Sequence, residues 1–288
     1  MSGSITSGID YSVLFPTTAG TGATSSLLGA LYGTGGGTTS SPTAALQALQ
    51  TAQRDQTKDI ATTASQPQIA RDIAAFQAAV ANAKTPADLL ANPTALKVLL
   101  TANGLSSDVA YPALAQKVLL SDPSNANSLV NQINSTDATW LPVVQTYQFA
   151  TKGLAALQNP TAMAAITSGY AEISWRQSLD ATTPGLSNAL SFLQKASTMT
   201  SANQILGDPV IRDVVTTALN IPLQIAYQDS TAQQNAITSQ LDISRLQDPK
   251  FVQSLAQEYL LNKAQAAQTS GTTPSLDSLA VQAAGLVV

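Results

Sequence analysis

The chain has no histidine and no cysteine, and only 10% of its 288 residues are charged. Without His there is no Ser-His-Asp triad, no imidazole general base and no imidazole metal ligand. Without Cys there is no thiolate nucleophile, no disulfide, and no Cys-ligated zinc or iron–sulfur cluster. Aromatic residues make up 5%, and charge falls well short of the roughly one quarter usual in a soluble domain. The balance is 13 Lys+Arg against 17 Asp+Glu, a net charge of −4 with a pI near 4.6. The basic residues stand singly along the chain. Nucleic acid and anionic membranes both call for basic clusters, so neither is expected as a partner. No stretch offers the roughly 18–20 continuous apolar residues of a membrane-spanning helix. The first basic residue is Arg54, so the positive start of a secretory signal is missing as well. Absent cysteine fits the cytosol, and it fits export without disulfides equally well.

What fills the space is Ala, Gln, Ser, Thr and Asn. In residues 1–43, 26 positions are Gly, Ser or Thr and the only charged side chain is Asp10. Such a stretch buries too little apolar surface to offset its ordering entropy, so it reads as a flexible leader. The short apolar runs Tyr11–Phe15 and Leu27–Leu31 are the only parts of it suited to docking.

From residue 44 to 268 the pattern is helical. Ile69, Ile73, Phe76 and Val80 share one face of a helix, as do Met163, Ile166, Tyr170 and Ile173, and Phe251, Leu255 and Tyr259. Asn92-Pro93, Asp122-Pro123, Asn159-Pro160, Asp208-Pro209 and Asp248-Pro249 each set a capping side chain before a proline. The carboxylate or amide accepts from an orphan N–H of the first turn, and proline lacks the N–H that has no partner there. Thr85-Pro86 and Thr183-Pro184 follow the same logic, Ser230–Gln233 reads as a capping box, and Asn103-Gly104 as a helix stop. The class is all-α: an irregular bundle of about ten short to medium helices. Beyond Ser270-Gly271-Thr272, the tail within 269–288 is apolar, with Leu276, Leu279, Ala283 and Leu286 on one stripe.

There is also an internal echo. Residues 92–105 align with 208–221 at an offset of 116, with identities at Leu90/Leu206, Val98/Val214, Thr101/Thr217 and Ala102/Ala218. Asp122-Pro123 and Ser128-Leu129 match Asp248-Pro249 and Ser254-Leu255 at an offset of 126. Duplication of one helical unit, over 85–134 and 200–262, explains both. Chance combined with shared capping chemistry explains them equally.

The chemistry on offer is sparse. Gly33–Ser41 lacks the Lys that a phosphate-cradling loop needs directly after its glycines. The paired carboxylates are Asp55 with Asp59, Asp208 with Asp213, and Glu172 with Asp180. Asp208 already has a capping role, and Asp55 and Asp59 sit among Arg54 and Lys58 as a solvated ionic face. No catalytic residue, cofactor or metal ligand is assigned. Trp and Arg are enriched at interface hot spots, so Trp175 and Arg176 are candidates for a partner interface, along with Leu279 and Leu286 of the tail. The competing reading puts Trp175 in the core and pairs Arg176 with Glu172 at i, i+4. Trp140 reads as core.

Ile205-Leu206-Gly207-Asp208-Pro209 with Arg212, followed by Val215–Pro222, resembles a bacterial family known only as a domain of unknown function. Its genes tend to lie among flagellar genes. Leu99–Leu105, Tyr147-Gln148-Phe149-Ala150, Leu241-Asp242-Ile243 and Gln247-Asp248-Pro249 extend the resemblance over residues 85–262. It implies a non-enzymatic structural or assembly protein whose partners are other flagellar or export-apparatus proteins. It further implies a place in the flagellum, or outside the cell by a type III-like route; the cytoplasm is the alternative. A charge-poor leader and absent Cys suit such export. Sustained heptads are missing from both ends, which favours an accessory or junction part over a filament or hook subunit. Two other functions stay open: a secreted helical effector or adhesin, and a carboxylate-dependent hydrolase.

Overall fold

A computed structural model describes residues 41–134 and 136–270, and every regular element among them is helical. The leader up to residue 40 and the tail stripe with Leu279 and Leu286 lie outside the described residues. The last positions of the leader lie inside. The Ser41 hydroxyl accepts from the Ala44 N–H at 3.2 Å, and Pro42 opens helix α1 (Pro42–Ala64), slightly earlier than the pattern indicates.

Helices α2 (Pro67–Asn82), α3 (Pro86–Ala91) and α4 (Pro93–Ala102) follow. After a 3₁₀ turn at Ser106–Ala110 come α5 (Pro112–Leu119), α6 (Leu129–Ile133), α7 (Trp140–Tyr147) and the one-turn α8 (Phe149–Lys152). The long α9 (Pro160–Leu179) leads to α10 (Leu186–Lys195), α11 (Ala202–Gly207) and α12 (Pro209–Ala218). A second 3₁₀ turn, Ala196–Thr198, follows α10; a third at Leu223–Tyr227 precedes α13 (Ser230–Thr238), a fourth lies at Ile243–Gln247, and α14 (Pro249–Ser270) closes the described chain. No helix among the described residues is long and apolar enough to cross a membrane.

The caps follow the local chemistry. Asn92 accepts from the Ala95 N–H at 3.0 Å, Asn159 from Thr161 at 2.9 Å, and Asp208 from Val210 and Ile211 at 2.9 and 3.1 Å. Thr85 and Asp88 form a reciprocal box at the start of α3. Three starts differ from the sequence reading. Pro123 opens no helix, because Ser124, Asn127 and Asn131 bond locally to Asp122, Asn125 and Pro123 and compete with the helical ladder. The cap of α13 is Asp229 rather than Ser230, its carboxylate accepting from the Ala232 N–H at 2.9 Å. Pro184 stands ahead of α10, which begins at Leu186 after Gly185.

Two apolar cores result. The first gathers Phe76 and Val80 of α2, Leu96, Val98, Leu99 and Leu100 of α4, Val118 of α5 and Trp140 and Val144 of α7. The second gathers Leu49 of α1, Leu190 and Phe192 of α10, Val214 and Val215 of α12, and Leu255, Tyr259 and Leu260 of α14. Helix α9 serves both, giving Ile166 and Tyr170 to the first and Trp175 to the second. Gly169 lets α9 approach α4 closely, since a Cβ there would stand 3.0 Å from the Ala102 carbonyl oxygen.

The offset of 116 has a counterpart in backbone geometry. Helix α4 ends with Leu105 N–H donating to Leu100 O at 2.9 Å and Gly104 N–H to Thr101 O at 3.0 Å. Helix α12 ends with Ile221 N–H donating to Thr216 O at 2.8 Å and Asn220 N–H to Thr217 O at 3.2 Å. This is a Schellman stop at both places, with Gly104 at φ +79° and Asn220 at φ +53°. The offset of 126 has no such counterpart: Pro249 opens a long helix, whereas residues 122–128 are turns.

Candidate functional site

Where α9 passes from one core to the other, polar side chains from both halves meet around a cavity of about 410 Å³. Asn103, Ser106 and Ser107 line it from beyond the end of α4, Glu172 and Arg176 from α9, and Ser191, Gln194 and Lys195 from α10. A smaller cavity of about 260 Å³ lies against Gln53, Gln56, Leu190 and Leu193, and Arg176 and Gln194 belong to both walls.

Arg176 is the centre of this arrangement, with its side chain only 2% exposed. One terminal nitrogen, Nη1, donates to Ser191 Oγ at 3.2 Å, and Nη2 donates to Gln194 Oε1 at 3.0 Å and to Glu172 Oε1. Glu172 precedes Arg176 by one helical turn, which puts both on one face. The Glu172 oxygen also accepts from Gln56 at 3.3 Å and Gln194 at 3.5 Å. Arg176 Nε is left without a partner, and so is Ser106 Oγ; both atoms are buried. Both residues line the larger cavity. Buried polar atoms are paired in the great majority of native structures, and leaving one unmade costs about 1–3 kcal/mol. At the rim, Lys195 Nζ donates to Asp208 Oδ2 at 3.1 Å, with the lysine side chain 41% exposed.

Of the six carboxylates raised as possible acids or bases, five have a visible task. Asp55 pairs with Arg54 on the surface, and Asp208 caps α12 and pairs with Lys195. Asp180 accepts from the Ser187 N–H at 2.9 Å, and burial pushes its carboxyl above the usual range against that bond. Asp213 accepts from Tyr259 Oη at 2.8 Å, Asn188 at 3.0 Å and Lys263 at 3.1 Å. Burial raises the Asp213 carboxyl, but these bonds and the Lys263 charge outweigh it and hold it below the ordinary value.

A second network, in the first core, shares the Asp, Tyr and Lys, with Gln in place of Asn. Asp72 accepts from Tyr170 Oη at 2.5 Å, Lys97 Nζ at 2.8 Å and Gln68 at 2.9 Å. Burial again raises the carboxyl, and the bonds from Lys97, Tyr170 and Gln68 together hold it low. Tyr170 and Tyr259 are both pushed up, by burial first and then by the carboxylate they serve.

Of the residues singled out by sequence, Trp175 lies in the second core at 3% exposure and Arg176 faces the cavity, so neither offers a free surface. Trp140 is in the first core. Ser106, Asn103 and Lys195 carried no signal of their own, since only the packing of α4 and α10 against α9 brings them to Arg176. Exposed apolar side chains lie elsewhere: Leu223 at 82%, Tyr227 at 92% and Tyr111 at 63%. Tyr111 and Tyr227 sit at the C-terminal ends of the 3₁₀ turns at Ser106–Ala110 and Leu223–Tyr227, again 116 residues apart.

Against known proteins, the chain matches no curated sequence. It resembles the crystal structure of a structural-genomics target from Agrobacterium tumefaciens, with a TM-score of 0.64 and 24% identity over 75% of this chain and 91% of that one. That likeness shows a shared fold. The profile of a protein family of unknown function, DUF1217, matches residues 102–252. The match runs from the end of α4 into the first turn of α14 and spans the residues around the cavity. Covering more than half of the sequence, it establishes that this chain belongs to the DUF1217 family.

Proposed function

We propose that this protein is a non-enzymatic structural or assembly component of the bacterial flagellum, exported without a cleaved signal. The observation that carries the non-enzymatic part is the engagement of Asp55, Glu172, Asp180, Asp208 and Asp213 in caps and ion pairs. A general acid or base must be free to meet a substrate proton, and these groups are held by the scaffold instead. Ser106 Oγ is hydrogen-bonded to no base, so no activated nucleophile is assembled there. Contact is the remaining task, and exposed Tyr111, Leu223 and Tyr227 are suited to it. The flagellar placement is supported by the family resemblance, together with the charge-poor, cysteine-free composition. Fractionation of cells carrying the tagged full chain tests the reading. The protein is expected in purified flagella or in the medium, dependent on the flagellar export machinery, and its deletion is expected to impair swimming. Unchanged swimming with the protein confined to the cytosol would overturn it.

A further inference from the structure

We propose that the apolar segment Leu276–Leu286 covers Leu223 and Tyr227 of its own chain. These two side chains are the most exposed large apolar ones among the described residues. They stand on an ordered turn. Ile225 N–H donates to Pro222 O at 3.0 Å and Gln228 N–H to Ile225 O at 3.0 Å. Gln233 Nε2 donates to Gln228 O at 2.8 Å, which ties the turn to α13, while Ile225 packs on the second core. A turn fixed in this way holds Leu223 and Tyr227 in water, where covering them is favourable in proportion to the apolar area removed.

The course of α14 points to the occupant. Asn262 Nδ2 donates to Thr217 O at 2.9 Å and to Ala218 O at 3.5 Å, so α14 already touches the end of α12 eight residues before Ser270. Those residues carry the helix about 12 Å further. Leu223 lies five residues beyond Ala218, at most about 18 Å of chain. With the Asn262 side chain included, Ser270 and Leu223 stand no more than about 40 Å apart, and residues 271–288 span up to about 60 Å when extended. Leu276, Leu279, Ala283 and Leu286 supply the apolar stripe, and Asp277 is the only charged side chain from 271 to 288.

Tethering decides between this segment and a second copy. Linked through residues 271–275, the stripe meets its own turn at an effective concentration of roughly millimolar order. A second copy at micromolar concentration does not compete with that. Tyr111 and Leu114 form the other exposed apolar pair, but they lie with the first core, where α5 packs on α3, α6 and α7. Helix α14 packs on α1, α10 and α12 instead. Tyr111 and Leu114 are thereby left for other partners. This inference concerns contacts within one chain, so it stands whether or not the flagellar placement does.

Hydrogen exchange of the full chain, read by mass spectrometry, tests it. The amides of residues 276–286 are expected to exchange about 10-fold or more slowly than an unstructured chain. Leu223→Ser combined with Tyr227→Ser should restore the unstructured rate there and leave α12 and α14 protected, because both replaced side chains are exposed. Leu279→Ser combined with Leu286→Ser should do the same from the other side of the contact. Tyr111→Ser should leave the segment as protected as before, and so should a dilution of about 100-fold. Exchange of residues 276–286 at the unstructured rate in the unaltered chain would overturn the proposal. So would protection that survives Leu223→Ser with Tyr227→Ser, that is lost in Tyr111→Ser, or that fades on dilution, the mark of a second copy.

Discussion

The two Tyr–Asp–Lys networks use the same three residue types to the same end, yet place the carboxylate on different helices. In the first core Asp72 lies on α2 and Lys97 on α4; 116 residues later the corresponding positions are Asn188 on α10 and Asp213 on α12. The acid has moved two helices along, from the α10 position to α12, and the lysine that neutralises it is now Lys263 of α14. The apolar positions have not moved. Phe76 and Phe192 are both fully buried, as are Val98 and Val214, at the same offset. The contrast teaches which constraint is rigid. A core position must match a volume, because interiors are packed to crystal-like density. A buried charge needs only that a counter-charge and enough donors reach it, and several neighbouring helices can supply them.

Three measurements would break or sharpen that comparison. Phe76→Ala and Phe192→Ala should each lower the unfolding free energy by about 3–5 kcal/mol, in line with large core truncations. Denaturant titration of the full chain reads both, and a small effect at one position alone would end the equivalence. Asp72→Asn, which gives the first network the residue type found at position 188, should cost about 1–3 kcal/mol at neutral pH, because Lys97 loses its counter-charge and one of the two acceptor oxygens becomes a donor. Its pH dependence follows from the lowered Asp72 carboxyl. A depressed folded value means the stabilisation is complete above the unfolded value of about 3.9 and is lost as pH falls through the folded one. The gap between wild type and Asp72→Asn should therefore be constant from pH 7 to 5 and close below about pH 4. A gap that persists in strong acid would mean the carboxylate charge is not what Tyr170 and Lys97 respond to. The smallest effect is expected at the matched surface tyrosines. Tyr111→Ser and Tyr227→Ser should each change stability by less than about 0.5 kcal/mol, as exposed positions do. A larger loss at either would show a role in folding rather than in contact.

Much of the fold was legible because it rests on short-range chemistry. Asn92, Asn159 and Asp208 cap their helices, Gly104 stops α4, and the stripe of Ile69, Ile73, Phe76 and Val80 faces the first core. Each of these depends on groups within a few residues of one another. The misreadings arose where two local options competed: Asp122-Pro123 ended in turns because the Asp122 and Asn125 side chains accept from backbone N–H groups that a helix would use. The candidate site was only half legible. The i, i+4 spacing of Glu172 and Arg176 foretold their ion pair. Nothing in the spacing of Ser106, Arg176 and Lys195 could foretell a shared cavity.

By itself the sequence determined an all-helical chain without imidazole or thiol chemistry, with its helix starts written in Asn-Pro and Asp-Pro pairs. Those features follow from side-chain chemistry and from hydrogen bonds that close within one turn. Only the tertiary structure decided that Trp175 would be core, that its neighbour Arg176 would be buried with its Nε unpaired, and that an acid could change helices while the core positions Phe76 and Phe192 stayed in register. Those outcomes depend on which distant groups packing brings within about 3 Å of one another, the reach of a hydrogen bond.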